Sequence, residues 1–230
     1  MHTDPDVASV ALLIGDPTRA AMLAALLGGQ ALPAGELAAC AQISPQTAST
    51  HLAKLVGGGL LTMTTTGRHR YYRLKSPEVG AAWEALARIA PRARVRSLRA
   101  SEEARALRFA RTCYDHLAGV VGVAITQAML NKQLLTADAQ TYHVTEAGTL
   151  WCAGWGIDLG QLRQSRRHFA TPCLDWSERH PHLAGALGAA VAQKLFERGW
   201  IVRVSSSRAV CLTAPGREGL RRELNINSLQ

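Results

Sequence analysis

The stretch SPQTASTHLAKLVGGGLLTMTTTGRHRYYRL, from Ser44 to Leu74, leaves the backbone few options. Ser44 is a residue type that caps helix N-termini, and Pro45 suits the first helical position, where no amide hydrogen is needed. Three glycines from Gly57 end the helix. Beyond them Thr and Tyr alternate on either side of Gly67, the pattern of two strands joined by a tight turn. A capped helix running directly into a β-hairpin is predicted. The same start signal, Asp16 then Pro17, opens an earlier helix that stops at Gly28, and apolar residues from Val7 form another before it. A short helix follows from Pro33 to Ala41, and SPEVGAAWEALARI supplies one after the hairpin. The order helix, helix, helix, turn, helix, hairpin, helix predicts a winged helix-turn-helix over residues 1–90. The helix from Ser44 to Val56 is then the element that enters the major groove of DNA.

The side chains of that helix fit the role. Ala48, Leu52, Ala53 and Leu55 alternate with Gln46, Thr47, Ser49, Thr50 and Lys54, so one face packs and the other offers hydrogen-bonding groups. Gln pairs with adenine in two hydrogen bonds, and Arg68 and Arg70 at the wing tip suit phosphate or the minor groove. The expected DNA-contacting set is Ser44, Gln46, Thr47, Ser49, Thr50, His51, Lys54, Arg68, His69 and Arg70. A net charge of +9 and a pI near 9.9 also point to a polyanionic partner.

These residues resemble the ArsR/SmtB family of bacterial repressors. Ser44, Thr47, Ser49, His51, Leu52, Leu55, Gly59 and Leu60 match its recognition helix, and Gly67, Arg68, Tyr71, Tyr72, Arg73 and Leu74 its wing. The resemblance covers about the first 90 residues and implies a double-stranded DNA operator, a homodimer and release by a metal, metalloid or thiol-reactive signal. The family's own metal sites are not carried here. The segment that opens with a C-x-C pair in metalloid-sensing members reads LPAGELAA, with Cys40 further along. The helix that bears His and acidic ligands in zinc-sensing members has only Glu78 and Glu84.

A basic connector, residues 91–100, leads into a second region, 101–230, expected to be helical with short wings. A long helix is predicted from Ser101 through SEEARALRFARTCYDHLAG. Beyond it the chain repeats itself: HLAGVVGVAITQAML, from His116, aligns with HLAGALGAAVAQKLF, from His182, at an offset of 66. YHVTEAG and VCLTAPG then align with two residues inserted, giving units of about 113–160 and 179–227. Each unit reads as helix, hairpin, helix, the back end of a winged helix whose polar reading face is gone. The fold class is therefore mostly α with small β-hairpin wings: an N-terminal winged helix-turn-helix, then a helical domain of two degenerate winged-helix-like repeats.

Two boxes in this region carry chemistry: Cys113, Asp115 and His116, and Cys173, Asp175, His180 and His182. Cys113 and His116, three apart, share a face of the predicted helix. Thiolate sulfur with imidazole nitrogen suits a thiophilic metal or metalloid, for which Cys113, His116, Cys173 and His182 are the candidate ligands. The alternatives are a redox disulfide or sensor thiol drawing on Cys113, His116 and Cys173, and plain packing of the repeated histidines. At the offset of 66 Cys113 aligns with Arg179, so the repeat leaves the cysteines unexplained. Cys40 and Cys211 are expected in the core, and Cys152 is expected buried beside two Trp.

No charged, apolar leader opens the chain and no apolar run is long enough for a membrane span, while five irregularly spaced cysteines suit a reducing compartment. The expectation is a cytoplasmic, dimeric DNA-binding repressor, released by a metal, metalloid, redox or small-molecule signal sensed in the C-terminal half, with no membrane partner and no enzyme activity. The competing readings are a thiol-dependent enzyme using the Cys/His cluster, and an interaction module that does not bind DNA. Phosphate loops, nucleophile elbows and paired carboxylates are absent from the sequence, and the polar helix face argues against a module without DNA.

Overall fold

The computed structural model describes residues 4–91, 97–204 and 207–229. They fall into two compact units, Met1–Leu86 with Ser206–Arg208, and Ala87–Ser205 with Ala209–Gln230.

The first unit contains helices α1 (Val7–Ile14), α2 (Pro17–Leu26), α3 (Ala34–Cys40) and α4 (Pro45–Gly57), with most of α5 (Pro77–Ile89). Its three strands are β1 (Leu32–Pro33), β2 (Leu61–Thr66) and β3 (His69–Leu74), in the order β1-β3-β2. Asp16 caps α2 by accepting from the Arg19 amide at 2.9 Å, and Ser44 caps α4 by accepting from the Thr47 amide at 3.2 Å. Arg19 ties α1 to α2, donating to the carbonyls of Leu12 and Leu13 at 2.7 Å each. The wing is an antiparallel ladder from Leu61↔Leu74 to Thr66↔His69, closed by Gly67 and Arg68, with Gly67 at φ +61°. Met22, Leu23 and Leu26 of α2 pack with Leu37, Leu52, Leu55, Leu61 and Tyr72 in the core of this unit.

In the second unit α6 (Leu98–Phe109) begins at an N-cap, Ser97, inside the stretch expected as a connector, and residues 92–96 of that connector lie outside the described residues. The order hairpin, helix, hairpin, helix then occurs twice. The first segment is β4 (Arg111–Cys113), β5 (His116–Ala118), α7 (Gly119–Asn131), β6 (Leu135–Ala137), β7 (Tyr142–Val144) and α8 (Glu146–Gly154). After α9 (Leu159–Arg163) comes the second: β8 (Thr171–Leu174), β9 (Pro181–Ala184), α10 (Gly185–Glu197), β10 (Ile201–Arg203), β11 (Val210–Leu212) and α11 (Ala214–Leu224). Its four hairpins are separate two-stranded ladders.

Two expectations are corrected here. The helix from Ser101 does not run to Gly119; it ends at Phe109, and Ala110 is extended at φ −154°. The second unit is also not purely helical with wings after its helices, because a further hairpin precedes each long helix. The return of the chain is tight. Gly119 sits at φ +79°, and a Cβ there meets the Arg108 carbonyl at 2.5 Å. Gly185, at φ +80°, stands in the same relation to the His168 carbonyl at 2.7 Å. Only glycine fits either place. β4 and β5 are buried at every position, so they lack the alternation that marks a strand with one wet face.

The two segments interlock. α7 packs on β9, and α10 packs on β5. The Leu183 amide of β9 donates to Thr126 Oγ1 of α7 at 2.8 Å. Val121, Ile125 and Met129 of α7 share one core with Leu187, Val191 and Leu195 of α10. Among the described residues, no single helix is long and apolar enough to cross a membrane.

Candidate functional site

In α4 the residues Ala48, Leu52 and Leu55 are fully buried, while Gln46, Thr47, Ser49, Thr50 and Lys54 are exposed. The hydroxyls divide by role. Ser44 Oγ caps the helix and lies 2.9 Å from Thr47 Oγ1, and Ser49 Oγ donates to the Pro45 carbonyl at 3.0 Å. Gln46, Thr50 and Lys54 complete the outward face. His51 lies off it: its side chain is 19% exposed and its Nδ1 is 3.6 Å from Asp16 at the start of α2. Arg68, His69 and Arg70 are exposed at the wing tip.

The second constellation is buried. Cys113 and His116 do not share a helix face; they are cross-strand partners in β4 and β5, flanking a two-residue turn in which Tyr114 has φ +61°. Cys173 and His182 are likewise partners in β8 and β9. The two cysteines are thus equivalent in the ladders, which corrects the alignment of Cys113 with Arg179. Cys113 and Cys173 are 60 residues apart and His116 and His182 are 66 apart, because the second hairpin's loop is six residues longer. Phe109, Ala110 and Asp115 also recur as Phe169, Ala170 and Asp175 at the offset of 60.

The ligand atoms of Cys113, His116, Cys173 and His182 all lie within 4.8 Å of one another. The two sulfurs are 4.0 Å apart, and the imidazole centroids are 5.1 Å apart. Cys113, His116 and His182 are 2%, 7% and 1% exposed, and Cys173 is half-buried. The glycines that follow each histidine allow this approach. A Cβ on Gly188 lies 3.3 Å from the His116 Cβ, and one on Gly122 lies 3.8 Å from the His182 Cβ.

Each histidine has a carboxylate on its Nδ1 side. Asp115 is 3.4 Å from His116 Nδ1, and Asp175 is 3.5 Å from His182 Nδ1. Each carboxylate is in turn held by an arginine. Arg167 grips Asp115 with two nitrogens, and Arg111, wholly buried under the Trp176 ring at 4.2 Å, donates to Asp175 at 2.9 Å. Asp175 also accepts from the Gly119 amide at 2.7 Å, capping α7 from the other segment, and from Ser177 Oγ at 2.7 Å. Burial pushes the Asp175 carboxyl up, but Arg111, the Gly119 amide and Ser177 together hold the group well below the usual carboxylate range.

The cluster's own protons follow from these neighbours. Burial pushes the His116 imidazole down, yet Asp115 and the Cys173 sulfur beside it prevail and hold it up at about 8. The Cys113 thiol is the largest influence lowering Cys173; the two imidazoles add to it against burial and hold the thiol well below its usual range. His116 Nε2 and both ring nitrogens of His182 are buried without a hydrogen-bond partner among the described residues. Two sulfurs beside two imidazoles are a donor set for a thiophilic cation, and two sulfurs at 4.0 Å are also within reach of oxidative joining.

The remaining cysteines stand apart from the cluster. Cys40 is half-buried, and Cys152 is buried, with burial pushing its thiol up to about 11. Cys211, expected in the core, is exposed, because it occupies the outward position between buried Val210 and Leu212 in β11. His180 is exposed, and its carbonyl accepts from the Asp175 amide. Arg111 and Arg167 carry no sequence signal that marks them as partners of the two aspartates.

Residues 14–64 match a helix-turn-helix domain family. Over 223 residues the chain is 44% identical to the HTH-type transcriptional regulator YdfF of Bacillus subtilis (strain 168), covering 97% of this chain and 99% of that protein. Similar solved structures include reduced HlyU from Vibrio cholerae, 29% identical over 37% of this chain and 90% of that one, with a TM-score of 0.34. Another is the homodimeric winged helix-turn-helix DNA-binding domain of Mb0332 from Mycobacterium bovis, 26% identical over 39% and 88%, with a TM-score of 0.33.

Proposed function

The chain belongs to the HTH-type transcriptional regulators, and we propose that within them it is a dimeric, sequence-specific repressor governed by a signal received in its second unit. α4 supplies base contacts through Gln46 and Thr50, Lys54 and the wing residues Arg68, His69 and Arg70 supply phosphate or minor-groove contacts, and Ser44, Thr47 and Ser49 support the helix start. His51 acts from beneath, against Asp16. An exposed apolar α1 supports pairing with a second copy: none of its residues is buried, and Val7 and Leu12 are 70% and 75% exposed. A DNA reader with reduced thiols fits a cytoplasmic setting.

The hairpin–helix–hairpin–helix segments are a duplicated unit whose α7 and α10 are degenerate recognition helices. They bury small and apolar residues where α4 exposes polar ones. The observation that carries the sensing role is the four-residue sulfur–nitrogen cluster, buried in the unit that has no reading helix.

Selection from random duplexes with the full chain tests this function. Enrichment of an inverted repeat is expected, with affinity that changes on adding a thiophilic cation or a disulfide-forming oxidant. Recovery of no preferred sequence overturns the DNA reading, and affinity indifferent to both agents overturns the sensing reading.

A further inference from the structure

The four-residue cluster can be carried further than a reactive patch. Buried polar atoms are almost always paired, yet His116 Nε2 and His182 Nε2 are both orphaned in the same small space as two sulfurs. Asp115 is hydrogen-bonded to His116 Nδ1, as carboxylates behind metal-ligating imidazoles are, and Asp175 lies 3.5 Å from His182 Nδ1. Both Nε2 atoms remain unpartnered among the described residues.

The dimensions match one kind of ion. With metal–sulfur bonds of about 2.3 Å, two thiolates of a tetrahedral zinc site stand about 3.8 Å apart. Here the sulfurs are 4.0 Å apart. The widest pair of donor atoms, at up to 4.8 Å, includes a nitrogen and needs to close by about 1.2–1.5 Å. Two sulfurs and two nitrogens in a tetrahedron are a donor set for zinc-class cations, whereas magnesium and calcium require oxygen. Four protein ligands leave no open position, the mark of a structural rather than a catalytic site.

We propose that Cys113, His116, Cys173 and His182 form a closed four-coordinate site for one Zn²⁺-class cation, with Asp115 orienting the His116 imidazole. Each cysteine binds as the thiolate and each histidine as the neutral base through Nε2, so the protons they carry pass to solvent on loading. Because one Cys–His pair comes from β4–β5 and the other from β8–β9, the ion pins the two hairpins together. The site rests on the sensing reading above for its consequence at DNA, and stands by itself for binding.

The test uses the reduced, chelator-stripped full chain titrated with Co²⁺. One Co²⁺ per chain is expected, with the visible d–d bands of a tetrahedral ion and a near-ultraviolet thiolate-to-cobalt band, both bleached by stoichiometric Zn²⁺. Cys113→Ser and Cys173→Ser should each weaken the thiolate band. Asp115→Asn should keep the spectrum while lowering cobalt affinity about 10–100-fold, the effect of removing an orienting carboxylate. A weak octahedral spectrum in the wild-type chain, or two thiols that stay fully reactive to a thiol reagent in excess Zn²⁺, overturns the site. Zn²⁺ that loads as expected but leaves DNA affinity unchanged upholds the site and overturns metal as the sensed signal. DNA release by an oxidant in a chain that shows no cobalt spectrum overturns the site and upholds sensing through the thiols.

Discussion

The outward face of α4 and the buried sulfur–nitrogen cluster build function in opposite ways. α4 takes its chemistry from neighbours in sequence, held on an exposed surface by three fully buried residues, Ala48, Leu52 and Leu55. The cluster takes its chemistry from residues 60 and 66 positions apart, held by hairpin register, by the buried Asp175–Arg111 pair and by the half-buried Asp115–Arg167 pair. A surface site of the first kind can lose a side chain and keep its scaffold. In the second kind the scaffold and the site share residues, so function and stability fall together.

The sharpest way to break this contrast is Asp175→Ala. It strands the buried Arg111 guanidinium and uncaps α7, and breaking a buried ion pair costs about 3–5 kcal/mol. Urea unfolding followed by Trp176, which stacks on Arg111, should show that loss, with the transition of the first unit unmoved. A change below about 1 kcal/mol, the scale of an exposed pair, contradicts the supporting role. Next in size, Gln46→Ala should remove about 1–3 kcal/mol of discrimination at a single base pair and leave both unfolding transitions in place. A loss of stability instead of specificity puts Gln46 with the scaffold. The smallest effect is expected for Ser44→Ala, about 1 kcal/mol of stability confined to the first unit, from the lost cap at the Thr47 amide. The same change should weaken binding to all duplexes alike; a shift in sequence preference makes Ser44 a reader.

What the sequence disclosed follows the same division. Caps at Asp16 and Ser44, the glycine stop after α4 and the alternating wing are local signals, and the elements form where those signals place them. The tetrapeptide shared by His116 and His182 pointed to both imidazoles without revealing that they face each other. β4 and β5 escaped notice because every position in them is buried, so no alternation distinguishes them from a continued helix. The spacing of Cys113 and His116, three residues, suits one helix face and suits equally the flanks of a two-residue turn. Only the backbone reversal at Tyr114 separates the two. The unequal hairpin loops then hid the equivalence of the cysteines, and Arg111 and Arg167 meet their aspartates only through tertiary pairing.

The cap on α7 has a consequence for synthesis. The Gly119 amide waits for a carboxylate 56 residues downstream, and Thr126 waits for an amide 57 residues downstream. At roughly 5–20 residues per second a ribosome takes several seconds to supply them. The strands and helices that read DNA are complete in the chain before Asp175 is translated. Each nascent chain therefore carries the whole helix-turn-helix and its wing for an interval in which α7 lacks the partners that cap and tie it.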